Sequence, residues 1–68
     1  MQIKWVDGAE IRVTIESGAV TMTANKEGLL SLAIQLAALA EAAPVSHIHY
    51  DQNNSLEEGS AEMIIERG

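Results

Sequence analysis

Two short segments near the start of the chain alternate apolar and polar residues. Residues 11–16 read IRVTIE and residues 19–24 read AVTMTA, which is the period-two pattern of strands with one buried face. Ser17-Gly18 lies between them and suits a two-residue hairpin turn. That turn predicts three apolar pairs on one face of the hairpin: Ile15 with Val20, Val13 with Met22, and Ile11 with Ala24.

A third strand is expected at the N-terminus, where Ile3 and Trp5 alternate with polar residues. Asp7-Gly8 resembles a tight turn, but a two-residue loop there would place both apolar side chains on the polar face. A turn of three residues, 7–9, places Trp5 opposite Ile11 and restores one apolar face. The first 25 residues are therefore predicted to form a three-stranded meander, with the glycine at positive φ and a bulge.

The middle of the chain is rich in leucine and alanine and predicts one helix, from Asn25 to about Ala42. Asn25 is a suitable N-cap, and Pro44 ends the helix. The polar side of this helix is narrow for a protein of 68 residues, so either the sheet curls around it or another molecule covers part of it. The apolar stripe expected to lie on the sheet consists of Leu29, Leu32, Ala33, Leu36, Ala40 and Ala43.

Two further strands are predicted after the helix. Ile48 and Tyr50 alternate with polar residues, and residues 61–66 (AEMIIE) form another strand after a polar loop at 52–60. The element order is then β-β-β-α-β-β. This order predicts an α+β two-layer sandwich, an antiparallel sheet with one helix packed on one face. Residues 1–68 are expected to form a single domain.

Charge and composition narrow the classes of function. The net charge is −6, of which residues 1–40 carry −1 and residues 41–68 carry −5. Direct binding to nucleic acid is not expected, because phosphates attract basic surfaces, whereas a basic protein partner would be drawn to the second half of the chain. The chain has no cysteine, no secretion signal in MQIKWVDG and no apolar run of the ~20 residues that a membrane span needs. A cytoplasmic protein without a membrane partner is therefore expected.

The segment SHIHYD contains the residues most suggestive of a chemical site. His47, His49 and Asp51 share one face of the predicted strand, where they could converge on a metal ion together with Glu62 of the next strand. The ordinary structural interpretation is that they are the solvent-facing residues of a strand whose other face is buried. That interpretation is favoured, because a half-buried strand produces the same alternation without any ligand.

The register of the last hairpin decides what these polar residues face. With Tyr50 opposite Ala61, the imidazole of His49 faces a carboxylate. With Tyr50 opposite Met63, the same imidazole faces an apolar residue. The first register is preferred, because opposite charges on paired strands attract. No other group of residues has the spacing of a nucleophilic, acid–base or phosphate-binding site, so neither a cofactor nor an enzymatic activity is expected.

Three segments together resemble a known family: the helix EGLLSLAIQLAALAE, the strand SHIHYD and the closing LEEGSAEMIIER. Over about residues 25–67 the chain looks like the immunity protein 32 family of bacterial polymorphic toxin systems. Such proteins are made beside a toxin and protect the producing cell by binding it. The resemblance implies a cytoplasmic, non-enzymatic inhibitor of a cognate toxin. Many such toxins are nucleases with basic clefts, to which an acidic surface would be steered quickly.

Three hypotheses about function follow. The first is the toxin-binding module that the resemblance implies. The second is a small metal-dependent enzyme or sensor built on the SHIHYD strand, and the third is a structural or regulatory homodimer that associates through its apolar helix or an edge strand. For the first hypothesis, the candidate partner-binding residues are His47, His49, Asp51, Glu57, Glu58 and Glu62.

Overall fold

The first hairpin forms in the predicted register. The computed structural model describes residues 1–68. Strands β1 (Ile11–Glu16) and β2 (Ala19–Ala24) pair antiparallel, and all three expected apolar pairs are present. Ser17 and Gly18 have φ angles of 51° and 79°. Positive φ at both turn positions is the geometry that joins two strands without splaying them.

The N-terminal segment is not a strand, so the prediction of a three-stranded meander is wrong in its first strand. The turn that follows the segment is present. Ala9 N–H donates to the Val6 carbonyl at 3.2 Å, and Gly8 has the expected positive φ, at 86°. Because residues 1–6 do not pair with β1, Trp5 does not lie opposite Ile11 in a ladder, and this turn does not close a hairpin.

A later part of the chain occupies the edge of β1 that was expected to pair with the N-terminus. Glu57 N–H donates to the Ile11 carbonyl at 2.8 Å, and Ala61 N–H donates to the Val13 carbonyl at 2.9 Å. Val13 N–H donates in turn to Ser60 Oγ at 3.2 Å. The loop that precedes the last strand therefore links the two hairpins, which otherwise form separate two-stranded sheets.

Helix α1 (Lys26–Ala40) begins at the predicted N-cap. Asn25 Oδ1 accepts hydrogen bonds from Gly28 N–H at 2.8 Å and from Glu10 N–H at 3.0 Å. Asn25 Nδ2 donates to the Gly8 carbonyl at 2.8 Å. One side chain therefore satisfies the first turn of the helix and holds the turn at residues 7–9 against it.

The helix buries a different side from the one that the apolar pattern predicted. Leu29 and Leu36, two members of the expected stripe, are 53% and 44% exposed. The polar residues Ser31 and Gln35 are almost completely buried. The buried residues of the helix are Gly28, Ser31, Leu32, Gln35 and Leu39.

Hydrogen bonds to the N-terminal segment explain this orientation. Val6 N–H donates to Ser31 Oγ at 2.8 Å, and Gln35 Nε2 donates to the Lys4 carbonyl at 2.8 Å. The Tyr50 hydroxyl donates to Gln35 Oε1 at 2.7 Å. A segment that packs against the helix without a strand partner leaves backbone groups that must find other partners. The two polar side chains of the helix supply them.

The second hairpin consists of β3 (His47–Tyr50) and β4 (Met63–Glu66). Tyr50 pairs with Met63, so the preferred register, with Tyr50 opposite Ala61, is wrong. The physical reason is that Ala61 is already bonded to β1 through its N–H. The observed register also places Ile48 opposite Ile65, which keeps apolar residues together on the buried face.

The core lies between the helix and the inner faces of both hairpins. Seven buried apolar side chains form it: Ile11, Val13, Leu32, Leu39, Ile48, Tyr50 and Leu56. The α+β class, with antiparallel strands and one packed helix, is confirmed, although the chain has four strands rather than five. No helix in the structure has both the length and the apolar character that crossing a membrane requires.

Candidate functional site

The outer face of the second hairpin presents both histidines. His47 and His49 are exposed on β3, and their rings meet edge to face with centroids 4.9 Å apart. On the neighbouring strand, Glu66 lies opposite His47, and Ile64 lies opposite His49. Ile64 is 52% exposed although it is apolar. We call these four residues the hairpin face. It combines one apolar side chain with three polar ones.

Asp51 organises the loop that follows β3 instead of extending the row of histidines. Its Oδ1 accepts hydrogen bonds from Asn53 N–H at 2.8 Å and from Asn54 N–H at 3.1 Å. Its backbone carbonyl accepts from Leu56 N–H at 2.8 Å. An aspartate that bonds backbone groups two and three residues later forms a tight turn. Asp51 is therefore a loop-forming residue, and one of its carboxylate oxygens is already engaged.

The remaining candidates lie on residues 57–62, which we call the acidic loop. Glu57 is partly buried, whereas Glu58 and Glu62 are exposed. Arg12 Nη1 donates to the Glu58 carbonyl at 2.9 Å, and Gly59 N–H donates to Gln52 Oε1 at 2.9 Å. These bonds and the backbone pairing with β1 fix the path of the loop. Its carboxylates are therefore presented from a defined backbone rather than from a free coil.

The structure does not assemble the metal site of the second hypothesis. No group of three or more histidine, aspartate and glutamate side chains lies close enough to hold a metal ion. The two imidazoles contact each other, and the Asp51 carboxylate is directed to the backbone of its own loop. His47 and His49 share one face of β3, as the sequence predicted. The turn after β3 directs the Asp51 carboxylate to its own loop and not to the histidines.

The most informative polar residues that sequence reasoning missed are Ser31 and Gln35. Their spacing of four residues places both on the narrow polar side of the helix, which the apolar pattern predicts to face solvent, whereas the structure buries them. The structure connects Gln35 to Tyr50, whose burial raises the pKa of its hydroxyl. A phenol that stays protonated can keep donating to Gln35 Oε1. This arrangement is structural, because the hydroxyl is buried and already bonded.

Comparison with known proteins gives one match. A family model described as Immunity protein 32 matches residues 19–68, which is more than half of the chain. The matched range contains β2, the helix, both strands of the second hairpin and all six candidate residues. No curated protein and no solved structure matches the chain.

Proposed function

The chain belongs to the immunity protein 32 family, and we propose that it binds and neutralises a cognate toxin in the cytoplasm of the cell that makes both proteins. In this proposal it is a stoichiometric, non-enzymatic inhibitor within a polymorphic toxin system. The family match over residues 19–68 is the observation that carries the proposal.

The proposed contact surface consists of the acidic loop and the hairpin face. Residues 41–68 carry a net charge of −5 out of the total of −6, and the acidic loop contributes three of those carboxylates. A basic toxin, such as a nuclease with a phosphate-binding cleft, would be attracted to this side of the molecule. Electrostatic steering of this kind raises association rates by about 10- to 1,000-fold.

The hairpin face supports the same surface for a different reason. Ile64 is an exposed apolar side chain on β4, directly opposite His49. The next pair on the same face of the hairpin is Glu66 with His47. Interfaces are typically built from an apolar centre with a polar rim, in which a few central residues contribute most of the binding energy. In the proposal, Ile64 is such a central contact, and the acidic loop provides steering.

The experiment pairs the chain with the cognate toxin domain, which the proposal expects in an adjacent gene. Co-expression should restore growth to cells that make the toxin domain, and calorimetry should give a one-to-one ratio of the two chains. Absence of binding at micromolar concentration, together with absence of growth rescue, would overturn the proposed function.

Charge reversal tests the surface separately from the function. Glu57→Lys/Glu58→Lys should lower the association rate by about tenfold or more and weaken its dependence on salt, because steering is lost. The matched control is Glu16→Lys/Glu41→Lys, which makes the same change in net charge at two exposed residues outside the surface. Equal rates for the two double variants would mean that the toxin binds elsewhere.

A further inference from the structure

The outer edge of β2 carries unpaired backbone groups. Hydrogen-bonded and non-bonded residue pairs alternate along an antiparallel hairpin. The bond from Asn25 N–H to the Glu10 carbonyl (3.1 Å) shows that Glu10 and Asn25 form a hydrogen-bonded pair, so the next pair, Ile11 with Ala24, is a non-bonded one. By this alternation, Val20, Met22 and Ala24 direct their N–H and C=O groups away from β1. β2 has no neighbour other than β1, and none of these groups has a backbone partner.

The side chains around this edge are apolar and uncovered. The helix does not cover the tip of the first hairpin, where Ile15 and Val20 are exposed. Its C-terminal end is bonded instead to the residue that follows β4, because Arg67 Nε donates to the Ala40 carbonyl at 3.3 Å. On the inner face of the hairpin and on the adjacent helix, the exposed fractions are 61% for Ile15, 65% for Val20, 39% for Met22, 53% for Leu29 and 44% for Leu36.

The helix residues of this set lie on the exposed side of the helix, which is not bonded to the N-terminal segment. One side of the helix, at Ser31 and Gln35, is bonded to the N-terminal segment and to Tyr50. The helix begins one residue after β2 and packs against it. Leu29 and Leu36 lie on the side of the helix away from the bonded residues Ser31 and Gln35. β2 contains no charged residue, and the helix contains none between Leu29 and Leu36.

The total surface is large for a monomer of this size. A typical monomeric protein of 7.3 kDa has an accessible surface of about 4,200 Å², whereas this chain has 4589 Å². A standard protein interface buries about 800 Å² on each partner. The open strand edge and the uncovered apolar side chains of the hairpin and the helix provide apolar surface on which such an interface could form.

We propose that the chain forms a two-fold homodimer in which β2 pairs antiparallel with β2 of a second copy, with Met22 at the axis. Val20 then pairs with Ala24 of the second copy, and all three outward-facing residues exchange backbone hydrogen bonds. The two hairpins become one four-stranded sheet with both helices on the same face. Four strands span about 19 Å at the usual spacing, which accommodates two helices packed about 10 Å apart.

The two copies complement each other at this edge. The two-fold axis brings the uncovered tip of one hairpin, with Ile15 and Val20, beside the uncovered helix side of the other, with Leu29. The same contact occurs twice, as a two-fold interface requires. A second copy fits this edge better than a basic toxin does, because an uncharged strand offers a basic surface nothing to pair with, while the carboxylates of the acidic loop lie beyond the opposite edge of β1.

Sedimentation of the isolated chain tests the dimer without any toxin. The unaltered chain should sediment as a dimer at micromolar concentration. Val20→Lys should raise the dimer dissociation constant by about a hundredfold or more, because two buried valines are lost from each interface. Thr21→Lys is the matched control: it adds the same charge to the same strand on the outer face, and it should remain dimeric with an unchanged circular dichroism spectrum. A monomeric unaltered chain, or equal effects of the two variants, would overturn the proposal.

Two further measurements test the pairing itself. In the dimer, the amides of Val20 and Met22 should exchange with solvent slowly, and in Val20→Lys the Met22 amide should exchange quickly. With Met22 at the axis, residue 21 faces residue 23 of the second copy, in a non-bonded pair with Cα atoms about 4.5 Å apart, which a disulfide can span. The chain has no cysteine, so a mixture of Thr21→Cys and Thr23→Cys chains should form a mixed disulfide. Fast exchange of these amides in the dimer would overturn this pairing. So would disulfides that form mainly between two copies of the same variant rather than between the two variants.

Discussion

At the scale of single residues, Gln35 joins three parts of the chain that are distant in sequence. Its amide nitrogen donates to the Lys4 carbonyl, and its amide oxygen accepts from the Tyr50 hydroxyl. The Tyr50 ring also meets Trp5 edge to face, with centroids 6.4 Å apart. Every buried polar side-chain atom in the structure has a hydrogen-bond partner. The cost of burying polar groups in so small a core is therefore offset locally.

Replacing Tyr50 with phenylalanine should lower the free energy of unfolding at neutral pH by about 1–3 kcal/mol, because Gln35 Oε1 loses its buried donor. Burial raises the pKa of the folded Tyr50 hydroxyl above its ordinary value of 10.0. The stabilisation associated with the protonated hydroxyl is therefore complete below pH 10.0 and is lost as the pH rises through the folded-state value. Denaturant unfolding of both proteins across this range should show their difference in stability shrinking above pH 10.0. A difference in stability that stays constant with pH would contradict the role given to the Tyr50 hydroxyl.

At the scale of the elements, the helix lies tightly against the first hairpin at Gly28. A Cβ atom there would lie 2.7 Å from the Glu10 carbonyl oxygen, 3.0 Å from Ile11 Cγ1 and 3.1 Å from Ala24 Cβ. The nearest of these atoms belongs to the backbone, which cannot turn aside as a flexible side chain could. The absence of a side chain at this position therefore sets how closely the start of the helix lies against both strands.

Gly28→Ala should destabilise the protein by about 1–3 kcal/mol, the usual cost of overpacking a well-filled site. This is opposite to the usual result in a helix interior, where alanine is favoured over glycine by about 1 kcal/mol. Ala37→Gly, at an exposed position of the same helix, is the control for propensity alone and should cost about 1 kcal/mol. Thermal unfolding of the unaltered chain and the two variants ranks their stabilities. A Gly28→Ala protein that is more stable than the unaltered chain would disprove the close contact.

At the scale of the whole molecule, the two proposed surfaces flank opposite edges of β1. One edge is paired with β2, whose free side is the proposed dimer edge, and the other is bonded to residues 57–61, which belong to the acidic loop. An interface at β2 therefore leaves the acidic loop and the hairpin face open. A dimer built in this way would present two toxin-binding surfaces related by the two-fold axis.

The complex with the toxin domain should accordingly contain two copies of each chain. Light scattering of the purified complex measures its mass, and Val20→Lys should reduce it to one copy of each without loss of toxin binding. This variant also separates the two proposals, because it removes the dimer but leaves the acidic loop unchanged. If toxin binding instead converted the unaltered dimer into a complex with one copy of each chain, the two surfaces would overlap.

Local patterns in the sequence determined the parts of the fold that depend on near neighbours. The turn at Ser17-Gly18 fixed the register of the first hairpin, because a two-residue loop allows only one pairing that puts the apolar residues on one face. The N-cap at Asn25 depends on a bond to a residue three positions later. The alternation around Ile48 correctly placed both histidines outward. These features were predictable because their causes lie within a few residues of their effects.

Only the tertiary structure decided which side of the helix is buried, which segment occupies the edge of β1 and how the last hairpin is registered. The helix is apolar on nearly every side, so burial of apolar surface alone does not select one. Hydrogen bonds from Ser31 and Gln35 to a segment more than 20 residues away select it instead. The pairing of residues 57–61 with β1 in turn displaces Ala61 from Tyr50. The sequence by itself therefore determined four strands, the helix and the outward row of histidines, whereas competition among distant backbone groups for hydrogen-bond partners decided how those elements fit together and left the N-terminal segment without a strand partner.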